Sequence, residues 1–170
     1  MPNIRWQDTI WNQFAAAIDT LENAISNCPD ALWSQPGDGP QFWRAAFHTL
    51  FFLDLYCAES MEAHTPPQPF TSSELEDGGT PPRMFTKQEL QDYLEYGRSR
   101  CQEVVRNLTD ADLERRSGFS WLEMSVVEST LYNLRHVQHH AAQLNQQLRQ
   151  AEDIASPWVF RGADSTKSSS

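Results

Sequence analysis

The stretch FWRAAFHTLFFLDLYCA, residues 42–58, sets the strongest limit on the fold. Wound as a helix, it is apolar on most of its sides, so it needs cover all round rather than along one stripe. Arg44, His48 and Asp54 interrupt it, and it is shorter than the roughly 20 apolar residues that a bilayer span takes. It therefore reads as the buried helix of a bundle, with no membrane partner.

The cover has to come from other helices, because no segment alternates apolar and polar residues as a half-buried strand does. Residues 4–27 place Trp11, Phe14, Ile18, Leu21 and Ile25 on one helical face. Pro40 suits the first turn of the second helix, about 40–62, since its missing N–H would have no partner there. Residues 64–85, with five prolines and two glycines, form a long connection, a kind that is often functional in compact domains. TKQE (86–89) is a capping box, a hydroxyl followed three residues later by a glutamate. It opens a third helix to about 107, with Leu90, Leu94, Cys101, Val104 and Leu108 as its stripe. SWLE (120–123) has the same signature and predicts a fourth helix over about 121–151, lined by Val127, Leu131, Leu134, Val137, Ala141, Leu144 and Leu148. The expected fold is all-α: a four-helix bundle with a long crossover loop between helices two and three. One domain over 1–155 is followed by a tail, 156–170, whose small polar end predicts disorder.

With 13 basic and 23 acidic residues the formal charge is −10. Such a surface repels phosphates, which argues against nucleic acid or anionic lipid as partner. Cys28, Cys57 and Cys101 are widely spaced and contain no CxxC, which fits neither a disulfide framework nor a zinc ribbon. That usage, and an amino-terminal stretch without a basic region and apolar core, predicts a reducing cytoplasmic setting.

Three of the five histidines fall within RHVQHHAAQLN, 135–145. At about 100° per residue, His136 and His140 stack on one face beside Val137 and Leu144, and His139 joins the polar stripe of Arg135, Gln143 and Gln146. Two histidines at this spacing can both ligate one metal ion. Val137 stands where a zinc protease of the HExxH type would have its glutamate, so that chemistry is excluded. Two imidazoles hold a divalent ion poorly, and His48, inside the apolar second helix, is the candidate third ligand. Cys57 is out of phase with it, Asp54 and Glu59 are too far along the axis, and His64 is expected at the surface. Arg44, one turn before His48, reads either as an anchor for an anionic substrate or as a surface ion pair. A buried histidine satisfied only by hydrogen bonds is the plain alternative for His48.

FHTLFFLDLY (47–56) together with HVQHHAAQLN (136–145) resembles the DinB/YfiT-like superfamily of four-helix bundles over about residues 5–150. The shared pattern in the last helix is H-x-x-x-H followed by Gln-Leu, here His136, His140, Gln143 and Leu144; Ala142 stands where glycine is frequent. The resemblance implies a metal triad of His48, His136 and His140 holding a divalent ion, usually nickel or zinc, with open positions for water or substrate. It also implies a homodimer, and a small electrophilic substrate or a low-molecular-weight thiol as partner in a transferase, isomerase or hydrolase reaction. Three readings stand side by side: a metal-dependent enzyme, a non-catalytic metal- or ligand-binding bundle, and a bundle whose histidines bind no metal.

Overall fold

The computed structural model describes residues 5–37, 39–76, 79 and 81–162. Its elements are α1 (Trp6–Asn27), the single turn α2 (Asp30–Trp33), α3 (Phe42–Leu55), α4 (Lys87–Asn107) and α5 (Val126–Glu152). Two 3₁₀ turns, Ser72–Leu75 and Asp110–Leu113, lie in the connections. Strands are absent among the described residues, as the all-α expectation requires; only isolated bridges occur.

The four long helices close a square in which α1 and α3 face each other across one diagonal and α4 and α5 across the other. Side-chain contacts fix the directions. Gln7 Nε2 donates to the Leu108 carbonyl at one end of α1, and Gln91 Nε2 to Ser26 at the other, so α1 and α4 are antiparallel. Phe52 meets His136 and Tyr56 meets Tyr132, so α3 and α5 are antiparallel. Phe47 packs on Phe85 just before α4, and Leu53 lies against Gly97. Farther along, Arg100 donates to the Cys57 carbonyl, which makes α3 and α4 parallel. A Cβ at Gly97 would sit 3.1 Å from Leu53 Cδ2, and its absence is what lets α3 and α4 approach so closely.

Parallel neighbours cannot be joined by a short turn. After α3 the chain must return along its whole length, about 21 Å for 14 residues. The crossover, residues 56–86, does so while anchored to the core. Phe70 stacks on Tyr93 with ring centroids 4.2 Å apart, and Phe70 and Phe85 both pack against Phe47.

Several expected boundaries move. The second helix begins at Phe42, with Pro40 outside it, and ends at Leu55 rather than near 62. Past Leu55 the apolar pattern runs out, and Ser60 instead bridges to Gly118, where any Cβ would lie 2.0 Å from the Glu59 carbonyl oxygen. The capping box at Thr86 forms as read, with Thr86 and Glu89 bonded reciprocally. SWLE does not open the last helix. Ser125 caps it by accepting from the Glu128 N–H, because residues 115–126 first close a small loop through Val126 N to Arg115 O and Ser117 N to Met124 O. Leu131 is exposed, and Ser129, Thr130 and Asn133 take the inner face there. In the expected tail, residues 156–162 reach back to α1, with Gly162 N–H donating to the Asn12 carbonyl; 163–170 lie outside the described residues.

His64, expected at the surface, is buried. Its Nε2 lies 2.9 Å from Asp54 Oδ2, which also accepts from Tyr93 OH, while Asp54 Oδ1 accepts from Arg100 at 2.7 Å. The Asp54 side chain is 0% exposed, so these donors are what make a carboxylate tolerable there. They tie α3, the start of the crossover and α4 at one point. Replacing Asp54 with alanine removes the shared acceptor of all three donors, two of them buried, and is expected to cost about 3–5 kcal/mol in unfolding free energy, read from urea denaturation monitored by circular dichroism.

Candidate metal centre

The square places α3 beside α5, and their opposed directions set residue 48 level with residues 136–140. His48, His136 and His140 each offer a ring nitrogen, and these atoms all lie within 4.8 Å of one another. Ring centroids are 5.5 Å apart for His48 and His136, 4.9 Å for His48 and His140, and 4.5 Å for His136 and His140. All three rings are half-buried, whereas His139 is exposed, as the helical phase predicts.

Hydrogen bonds orient two of the rings. His140 Nδ1 lies 2.8 Å from Gln143 Oε1, an amide oxygen that can only accept, so Nδ1 carries the proton and Nε2 keeps its lone pair. The same amide reaches His139 Nε2 at 3.1 Å, which gives Gln143 a physical role next to the pair. His48 Nδ1 lies 2.7 Å from Glu74 Oε2. The other Glu74 oxygen takes a hydrogen bond from Arg44, whose second terminal nitrogen donates to the Gly79 carbonyl. His136 is different: its Nδ1 is buried and has no hydrogen-bond partner among the described residues.

These environments set the charges. Burial first, and then the neighbouring imidazoles, push the His136 pKa down to about 3, and burial likewise lowers that of His140. Both rings are therefore neutral at pH 7, the form that can donate a lone pair to a metal. Burial acts to raise the Glu74 pKa, but the bonds from His48 and Arg44 outweigh it and hold the carboxyl below its ordinary value.

The residues present fit a divalent cation. A tetrahedral ion bound to nitrogen at 2.0–2.1 Å would hold its ligands about 3.4 Å apart, within reach of this cluster by small side-chain rotations. The donors are imidazole nitrogens of the type zinc and nickel accept, and burial holds two of the three rings in the neutral form that can ligate.

Sequence reasoning picked out His48, His136 and His140, and the fold brings all three together. It also set aside Asp54 and Cys57, which lie in the buried layer toward Tyr93 and Asn133. Glu74 escaped it. The glutamate sits in the proline-rich crossover at no motif spacing, and only the need for that segment to run back past α3 pointed to a contact of this kind. Arg44 forms an ion pair, but with a carboxylate whose side chain is 4% exposed rather than at the open surface.

The family model described as the DinB superfamily matches residues 13–144. No curated protein and no solved structure matches the chain.

The depressed histidine pKa values make part of the metal-free protein's stability acid-sensitive. Between the unfolded value near 6.5 and the lower folded values, the unfolded chain binds more protons. The contribution of these two rings to stability is thus complete above about pH 6.5 and is lost progressively toward pH 3. The melting temperature should fall over that range, and less steeply in His136→Leu, when both are measured by differential scanning calorimetry in the presence of chelator.

Proposed function

Because the chain belongs to the DinB superfamily, we propose that His48, His136 and His140 together bind one divalent metal ion, nickel or zinc, and that the centre acts on a small electrophilic substrate with a low-molecular-weight thiol or water as nucleophile. The observation that carries the reading is the convergence of the three imidazoles, two of them held neutral, with one buried nitrogen left without a partner.

A divalent ion held by three histidines lowers the pKa of a thiol or water bound in its open position. The chain's own contributions are positional. Gln143 fixes the ring of His140, and Glu74 that of His48. Phe52 lies against both His48 and His136 and covers one side of the cluster. His136 also lines an open hollow on α5 with Tyr132, Leu134, Arg135 and His139. No helix among the described residues is long and apolar enough to cross a membrane; a cytoplasmic setting is part of the proposal, carried by the cysteine usage. A homodimer is the assembly that the superfamily resemblance supplies.

A second reading, a binding bundle without catalysis, has one observation in its favour. Among the described residues, Glu74 is the carboxylate bonded to the triad, and both of its oxygens are already engaged, by Arg44 and by His48, so it is not free to take a substrate proton.

Protein purified without an affinity tag and dialysed against zinc or nickel should hold about one ion per chain by elemental analysis. His136→Ala and His140→Ala should each lower the retained metal at least tenfold. Ligand linkage raises the melting temperature of the loaded wild type, a shift that both variants should lose. Metal content unchanged in both would defeat the reading. Turnover of a small electrophile that needs both thiol and metal separates enzyme from binder.

A further inference from the structure

The crossover reaches the triad through one side chain. Glu74 stands in the turn Ser72–Leu75, and its side chain is 4% exposed although the turn lies at the surface of the bundle. Arg44, one turn before His48 on α3, donates to Oε1, and Oε2 lies 2.7 Å from His48 Nδ1. A carboxylate oxygen that is not protonated can only accept, so the proton of this hydrogen bond belongs to Nδ1 of the imidazole. The lone pair of the neutral ring is then on Nε2, the nitrogen left free of Glu74. Free histidine side chains in water favour the opposite tautomer, with the proton on Nε2, which cannot ligate through that atom.

We propose that Glu74 is a positioning residue for the triad: its carboxylate selects the His48 tautomer that can bind a metal ion, and the same bond couples the Ser72–Leu75 turn of the crossover to occupancy of the site. This rests on the reading of the triad as a metal centre. A carboxylate behind a ligating imidazole fixes ring orientation and raises ligand basicity, and losing it typically weakens metal binding 10–100-fold. Coupling is reciprocal. If holding the turn in place strengthens metal binding, binding metal strengthens the hold on the turn by the same factor.

Two variants and two readouts test this on the full chain. In the metal-free protein, nitrogen-15 NMR of the imidazoles reports which nitrogen carries the proton. Wild type should show His48 protonated at Nδ1. Glu74→Ala should shift it toward Nε2–H, and Glu74→Gln, which keeps an acceptor oxygen without the charge, should retain Nδ1–H. Competition titration with zinc should show affinity falling 10–100-fold in Glu74→Ala and by a smaller factor in Glu74→Gln. Zinc should also slow amide exchange of residues 73–76 in wild type and not in Glu74→Ala. An unchanged His48 tautomer and unchanged zinc affinity in a folded Glu74→Ala overturns the proposal while leaving the metal centre standing. If Glu74→Ala does not fold, the conservative Glu74→Gln decides: affinity equal to wild type overturns the proposal. A wild type that binds no zinc or nickel defeats the metal reading and with it the coupling, and the tautomer measurement still decides whether Glu74 sets the ring.

Discussion

The direction of α4 relative to α3 governs the rest of the molecule. Two parallel neighbours need a connection that runs the length of a helix, and here that is residues 56–86. A segment so long would lose much conformational entropy if it were ordered for nothing. It is held instead at spaced points: His64 on Asp54, Phe70 on Tyr93, Glu74 on His48 and Arg44, and Phe85 on Phe47. Its return path passes the outer side of α3, and that path is why a crossover residue touches the triad at all.

Two of these points share a chemistry and differ in their surroundings. Asp54 with His64 and Glu74 with His48 are both carboxylate–imidazole pairs between α3 and the crossover. In the first, both side chains are 0% exposed and the carboxylate is saturated by Tyr93 and Arg100. Nothing from solvent can enter, so the pair serves as a fastening. In the second, the glutamate is almost as deeply covered, but the imidazole is 36% exposed and offers a ring nitrogen within 4.8 Å of those of two further histidines. Access and convergence, rather than the pair itself, separate a site that can take a ligand from one that holds the fold.

Periodicity made the long helices legible, because their buried faces repeat at three- and four-residue steps: Trp11 to Ile25 in α1 and Val137 to Leu148 in α5 are buried as read. The same phase turned His136 and His140 inward and His139 out. Ends were harder. Ser120 to Glu123 and Ser125 to Glu128 carry the same local signature, and the choice between them was made by the loop closed from Arg115 to Val126. Leu131 and His64 were misplaced because side-chain partners decide burial there: Asn133 donates to the Leu53 carbonyl and turns the polar side of α5 inward, and His64 meets the Asp54 carboxylate. Glu74 belongs to the same class, since a hydrogen bond across the connection leaves no period or spacing in the chain.

The charge inventory of the centre bears on what it can bind. His136 and His140 are held neutral, and the Glu74 anion is paired with the Arg44 cation, so these four groups sum to nearly zero despite a chain charge of −10. A divalent ion held there, as proposed, would keep close to its full +2 in a half-buried place, where Coulomb interactions are several times stronger than in bulk water. That excess selects for an anion in the remaining coordination space. A thiolate or hydroxide meets the demand directly, whereas a site built with carboxylate ligands would have spent part of that pull on its own side chains. Placing the Glu74 carboxylate behind an imidazole, and neutralising it with an arginine, leaves the attraction for the incoming ligand.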